Sequence, residues 1–182
     1  MKNKIIISIV AILAIVISMM YLKTNDKTGA LEVDKLDIID SALLKKDSEY
    51  KFVFFGYAGC YHFCDPRLRQ VDPIYKEMKK SLDIKMLFID ISEDQNHTAS
   101  ELFVKDVNGE FEAINPDTNG IKVLQKKFQD VYVRKLPDGE YLHSGFLYLL
   151  KKYKQNYYIL KIYPEFVNSD AVIADIKKLS SR

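Results

Sequence analysis

Phe54-Phe55-Gly56-Tyr57-Ala58-Gly59-Cys60-Tyr61-His62-Phe63-Cys64-Asp65-Pro66 is the stretch on which the reading of the fold turns. The aromatic run Lys51–Tyr57 reads as a buried strand bounded by small, turn-prone residues. The chain's two cysteines follow at once, four positions apart, and then Pro66, a residue suited to a first helical turn. Strand, turn, paired thiols and helix place reactive groups at the carboxyl end of a strand, where open α/β sheets carry their chemistry.

Outward from this stretch, the apolar positions Leu68, Val71, Ile74, Met78 and Leu82 follow helical spacing. Pro73 falls inside that pattern and predicts a kink or a restart. Ile84–Ile91 is a second buried strand, followed by a polar loop over Ser92–Ser100 and a short helix over Ala99–Val107. Asn115-Pro116-Asp117 is a turn that opens a helix running to Phe128. Val131–Leu136 reads as a strand, and Phe146–Lys152 with Tyr157–Tyr163 as an antiparallel pair. Val167–Leu179 is an amphipathic closing helix; Leu36–Leu44 fits either a helix or irregular packing. The resulting order β-α-β-α-α-β-β-β-α predicts an α/β, thioredoxin-like mixed sheet flanked by helices.

The amino terminus differs in kind. Lys2 and Lys4 precede Ile5–Leu22, interrupted only by Ser8 and Ser18. Eighteen such residues make a helix of roughly 27 Å, close to the hydrocarbon thickness of a bilayer. The organisation expected is therefore a membrane anchor at residues 1–22, a polar linker at 23–35 and a globular domain at 36–182. Lys2, Lys4 and the terminal amine outweigh Lys23 and Lys27, so the positive-inside rule keeps the terminus cytoplasmic and the domain extracytoplasmic. The 27 basic and 25 acidic residues nearly cancel, which leaves no nucleic-acid footprint.

Cysteines at i and i+4 close too small a loop to constrain an unfolded chain much, so a purely structural bridge gains little. Thiols entering a helix amino terminus favour the thiolate. Two such groups interconvert with a disulfide or hold a soft cation such as Cu(I). A third ligand has three candidates, His62, His97 and His143. His62 and His97 read most simply as exposed loop residues. His143, before Ser144-Gly145 and a strand, reads by itself as an ordinary loop residue. Arg67 and Arg69 either lower a thiol pKa or are solvated, and Tyr57, Tyr61 and Phe63 could form a docking surface around the thiols.

The chain resembles the Sco/SenC family of membrane-tethered, thioredoxin-like copper proteins. Phe55-Gly56-Tyr57-Ala58-Gly59-Cys60-Tyr61-His62-Phe63-Cys64 is similar to the family's F-G-Y-T-x-C-P-x-x-C-P. Leu142-His143-Ser144-Gly145-Phe146-Leu147-Tyr148-Leu149 is similar to its D-H-S-x-x-x-Y-L-x-D. The resemblance implies that Cys60, Cys64 and His143 bind copper. It further implies service to the copper-binding subunit of cytochrome c oxidase, or to another extracytoplasmic thiol or copper protein. Four departures from the pattern stand out: Tyr61 replaces the Pro after the first cysteine, Asp65 stands where the second Pro would be, with Pro66 one place later, Leu142 replaces the Asp before the histidine, and Ser92–His97 replaces an acidic D-P-x-x-D loop. Two alternatives remain at this level: a metal-free thiol-disulfide oxidoreductase or redox sensor using Cys60 and Cys64, and an interaction domain with an inert bridge.

Overall fold

The computed structural model describes residues 12, 28–31, 33, 38–44, 47–93, 96–129, 131–165 and 167–181. Strand β1 (Ile38–Asp40) and a 3-10 turn (Ser41–Leu44) come first. β2 (Tyr50–Gly56), α1 (Cys64–Met78) and β3 (Ile84–Asp90) form the central β-α-β unit. Then follow α2 (His97–Val107), β4 (Glu112–Ile114) and α3 (Thr118–Lys127). A small hairpin, β5 (Val133–Lys135) and β6 (Tyr141–His143), leads to β7 (Leu147–Tyr153), β8 (Asn156–Tyr163) and α4 (Ser169–Ser180).

Six strands share one mixed sheet in the order β1-β8-β7-β2-β3-β4. β2, β3 and β4 run parallel, whereas β7 is antiparallel to β2 and β8 to β7. Side chains alternate across a strand, so each strand feeds both faces. Phe52, Phe54, Met86 and Phe88 face the core that also takes in α1 and α4 residues such as Leu68, Ile74, Val172 and Ile176. Val53, Phe55, Leu87 and Ile89 face the opposite core, where Leu124 and Phe128 cover them. Every residue of β2 is buried, which is why it reads as a continuous apolar run rather than an alternating one. Fully burying each of these large side chains contributes roughly 1.5–3 kcal/mol.

Several expectations change in detail. Pro73 neither ends nor restarts α1, which is one helix from Cys64 to Met78. α2 begins at His97, because the Asn96 side chain caps it by accepting the Ala99 N–H, 3.0 Å. The undecided Leu36–Leu44 stretch contains an edge strand and a 3-10 turn. Three short strands were not expected: β1, β4 and β6 each span three residues, too few to show a period. β5 is shorter than Val131–Leu136 and pairs only with β6, outside the main sheet. Arg67 is buried rather than solvated, its guanidinium donating to the Pro164 carbonyl at 2.6 Å and to Gln70. Apart from Ile12, the apolar stretch 5–22 lies outside the described residues, and among those no helix is long and apolar enough to cross a membrane.

Candidate metal centre

The turn after β2 is built by Gly59. Its φ of +91° is one that L side chains rarely adopt, and it lets the Cys60 N–H reach the Tyr57 carbonyl at 3.2 Å. A buried carboxylate pins this turn from the side. Asp90, at the end of β3, accepts the Ala58 N–H (3.1 Å), the Ser92 N–H (2.8 Å) and hydroxyl (2.6 Å), and the Ser100 hydroxyl (2.5 Å). It thereby ties the cysteine turn, the loop after β3 and α2 to one point.

Cys64 is the first residue of α1, and its N–H donates to Cys60 Sγ at 3.3 Å. Phe63, at the cap position, offers no side-chain cap, so the Cys60 sulfur accepts one of the N–H groups that a helix start leaves unpaired. From the other side β6 brings His143, whose Nε2 lies 3.4 Å from Cys64 Sγ. The sulfurs of Cys60 and Cys64 and a ring nitrogen of His143 all lie within 4.8 Å of one another. Cys64 is fully buried; Cys60 and His143 are each 8% exposed. Both cysteines are free thiols.

His143 Nδ1 sits 3.1 Å from the Ser144 carbonyl oxygen. A carbonyl only accepts, so the contact selects the tautomer in which Nδ1 carries the proton and donates it. Nε2 is then a lone-pair donor aimed at Cys64. This backbone group does the orienting that an acidic neighbour would otherwise do, and Leu142, in the position of that acid, is exposed. The imidazole is boxed by the ring edges and faces of Phe54, Tyr57 and Phe63, with centroids 6.2, 6.1 and 5.6 Å away. Gly56 makes room for the second sulfur: a Cβ there would sit 2.9 Å from Cys64 Sγ and 2.8 Å from Phe88.

The two thiols are unequal. Cys60 is pulled down to about 4, first by the hydrogen bond from the Cys64 thiol, against the cost of burial, and then by the N–H groups of Cys64 and Phe63. Cys64 is pushed up by its neighbouring thiolate, by burial and by the negative charge of Asp90. The reduced pair is therefore one thiolate sharing the proton of one thiol. A cleft of about 390 Å³ opens onto the group, walled by Tyr57, Phe63, Tyr132 and Tyr141 and carrying Glu140 and Glu165.

The donor set is two sulfurs and one imidazole nitrogen, a combination suited to soft or borderline transition metals. Bonds of roughly 2.0–2.3 Å to such ligands place three trigonal donors roughly 3.5–4 Å apart, and the spacing here matches that within a side-chain adjustment. The residues fit a three-coordinate ion. Of the other histidines, His62 is exposed and lies outside the group, and His97 is exposed on α2 beside Glu101, 3.2 Å away. Asp90, Gly56 and the Ser144 carbonyl were missed in the sequence. A lone Asp closing an apolar strand was the one available signal; a carbonyl carries none.

A mixed sheet between helices, with paired cysteines at the first strand-to-helix turn and a histidine facing them, defines a thioredoxin-like protein with a built metal-ligand set. The SCO1/SenC family model matches residues 44–181, and the chain belongs to that family. Among solved structures, apo Sco1 from Thermus thermophilus superposes with a TM-score of 0.66 at 17% identity, covering 84% of this chain and 96% of that one. Arabidopsis thaliana ScoI with copper bound gives 0.64 at 19% identity, covering 79% and 96%. BsSco, described with a disulfide switch as a member of the Sco family of cytochrome c oxidase assembly proteins, gives 0.56 at 16% identity, covering 82% and 94%. No curated protein matches the sequence significantly.

Proposed function

We propose that this protein is a membrane-tethered copper metallochaperone. Cys60, Cys64 and His143 take up one copper ion and pass it to the copper centre of an extracytoplasmic oxidase, cytochrome c oxidase in the first instance. The observation that carries this reading is the convergence of the three donor atoms within 4.8 Å, with Cys60 and His143 lining an open cleft and Cys64 buried behind them. Residues 5–22 anchor the chain, with the terminus cytoplasmic and the domain outside. Transfer proceeds by ligand exchange, because an incoming thiolate or imidazole of similar softness reaches the ion through the cleft as Cys60, the more exposed sulfur, lets go.

Each group in the site has a part. The Cys60 thiolate is ready to bind without first losing a proton at neutral pH. Cys64 supplies a second sulfur and releases its proton on binding. His143, fixed by the Ser144 carbonyl, presents Nε2 in the ligating tautomer. Anaerobic titration of the reduced domain with Cu(I) against a competing chelator tests this. One-to-one binding that is abolished by Cys60→Ser or Cys64→Ser, and weakened at least about 100-fold by His143→Ala, is expected. Unchanged affinity in the histidine variant would sink the three-ligand model.

The asymmetry of the thiols favours a second reading, thiol-disulfide exchange. The Cys60 thiolate attacks a partner disulfide, forming a mixed disulfide and releasing one partner sulfur as thiolate. Cys64 then gives up its proton and displaces the second partner sulfur, leaving the partner a dithiol and the Cys60–Cys64 pair oxidised by two electrons. The likeness to BsSco, with its disulfide switch, agrees with this use of the same pair.

A further inference from the structure

The hairpin of β7 and β8 carries a charge pattern that the metal centre does not use. From Tyr141 to Pro164 the chain has no acidic residue, yet Lys151, Lys152, Lys154 and Lys161 all fall within that span. The tip is the two-residue turn Lys154-Gln155, since Tyr153 pairs with Asn156. Lys154 holds a φ of +57°, a conformation that favours glycine, so a cation stands at the tip where a residue without a side chain would fit with less strain. Lys152 is paired with Asp47; among the described residues no ion pair involves Lys151, Lys154 or Lys161.

Beside these lysines the sheet has an uncovered face. Cross-strand partners share a face, and Tyr50, Lys151, Tyr158 and Ile38 pair one with the next across β2, β7, β8 and β1. The inner end of this row is covered, because Tyr50 is buried in the core that α1 and α4 close. The outer end is bare: Ile38 is 48% exposed and Tyr153, two residues along β7 from Lys151, is 63% exposed. Tyr153 and Tyr158 meet edge to face, centroids 6.3 Å apart, in a groove of about 410 Å³ that Leu160 completes. Lysine ammonium groups stand over the rings, Lys151 5.2 Å from the Tyr50 centroid and Lys154 5.5 Å from that of Tyr153.

We infer that this face, with Tyr153, Tyr158 and Ile38 as its apolar body and Lys151 and Lys154 as its charges, docks on an anionic phospholipid bilayer. Tyrosine rings settle at the boundary between hydrocarbon and headgroups. Lysine stems lie along apolar surface while their ammonium groups reach outward to phosphate, and the hairpin has no carboxylate of its own to be repelled. The position in the fold agrees. The Leu31 N–H donates to the Ile162 carbonyl at 2.9 Å, so the chain joins the domain along the free edge of β8 on which Ile38 also pairs. Ile162 and Tyr158 stand four positions apart on β8, roughly 14 Å. The anchoring of residues 5–22 proposed above brings that edge towards the bilayer, but the docking does not rest on it. Glu140 and Glu165, at the mouth of the metal cleft, are repelled by the same headgroups, which keeps the cleft clear of lipid.

The chain contains no tryptophan, so Tyr153→Trp places a single reporter on this face, and Leu102→Trp, in a second chain, one beside the cysteine turn. The full-length protein would be reconstituted in vesicles of phosphatidylcholine, with or without phosphatidylglycerol, each carrying a brominated-chain lipid as quencher. Quenching of the Tyr153→Trp reporter roughly twofold or more stronger in the anionic vesicles is expected, reversed by about 0.5 M sodium chloride, with the Leu102→Trp reporter unchanged. Adding Lys151→Gln and Lys154→Gly should abolish the difference; glycine suits the turn, and an unchanged urea midpoint shows that the fold is kept. Equal quenching in both vesicles overturns the inference, as does a difference that survives the two lysine substitutions. Quenching that falls as the protein-to-lipid ratio rises means that a second copy covers the face, and overturns it equally. A chain that carbonate extracts from neutral vesicles has no anchor. Flotation of that chain with anionic but not neutral vesicles then supports the docking, and flotation with neither overturns it. Cu(I) titration of the same variants tests the metal reading separately, since it needs no membrane.

Discussion

Cys64 Sγ and His143 Nε2 lie 3.4 Å apart although 79 positions separate them. The contact joins the first residue of a helix to the last residue of a short strand outside the main sheet. Neither element alone is a site. The hairpin β5–β6 is held against the thiol turn by Tyr57, whose ring packs on Tyr141 with centroids 5.3 Å apart and whose hydroxyl donates to Glu140. The Tyr141 hydroxyl accepts the Glu93 N–H at 3.1 Å, and Lys135 pairs with Glu93 at 2.7 Å.

Gly56→Ala should damage both stability and metal binding. The new methyl would lie 2.8 Å from the Phe88 ring and 2.9 Å from Cys64 Sγ, in a core that cannot open freely. Overpacking of this kind costs about 1–3 kcal/mol, read as a lower urea midpoint. Displacement of the sulfur should lower Cu(I) affinity at least about tenfold. A wild-type midpoint would show that the strand end yields.

The reactivity of Cys60 should be almost independent of pH near neutrality. A thiol held down to about 4 is ionised throughout pH 6–8, whereas an ordinary cysteine gains roughly a hundredfold in thiolate over those two units. Iodoacetamide labelling of the reduced protein, followed by peptide mass spectrometry, should give a flat profile for Cys60 and slow labelling of Cys64. Cys64→Ala takes away the first cause of the shift and should bring a rising limb into that range.

Asp90→Ala removes the acceptor shared by the Ala58 N–H and by the N–H and hydroxyl of Ser92, and leaves the Ser100 hydroxyl the Asn96 carbonyl alone. Buried donors deprived of a partner cost about 1–3 kcal/mol each at most, so a loss of about 3 kcal/mol in unfolding free energy is expected. Because Ala58 belongs to the cysteine turn, Cu(I) affinity should fall with it. Asp90→Asn, which keeps one acceptor oxygen, should recover part of both.

Lys51 is 1% exposed, with its ammonium 5.1 Å from the centroid of the Tyr157 ring, and burial lowers its pKa to about 8. The folded chain therefore binds fewer protons at this site than the unfolded chain between pH 8 and 10.5, and its contribution to stability rises with pH across that window. It is fully present above the unfolded value and is lost as pH falls through 8. The gain is about 3 kcal/mol at most. Comparing urea unfolding of wild type and Lys51→Met from pH 7 to 10 isolates it from the thiols, which both chains share. The difference between the two chains should shrink as pH rises; a constant difference would count against the burial effect.

Much of the architecture was legible because burial on both faces writes itself into composition. β2, β3, β7 and β8 are long enough to appear as apolar runs, and the spacing Leu68, Val71, Ile74, Met78 marks one face of α1 despite Pro73. Three-residue strands carry no period, so β1, β4 and β6 stayed hidden. Arg67 looked like a surface residue because its partner is a carbonyl 97 positions away.

By itself the sequence determined the alternation of strands and helices, the thiol pair at a strand-to-helix turn, and the residues that carry the family resemblance. Those are local properties, set by periodicity and by adjacent side chains. Only the tertiary structure brought His143, which the resemblance had singled out, against Cys64, and placed the chain's entry to the domain at the same end. Each of those depends on a contact between distant positions, His143 with Cys64 and Leu31 with Ile162, that forms only when the sheet is assembled.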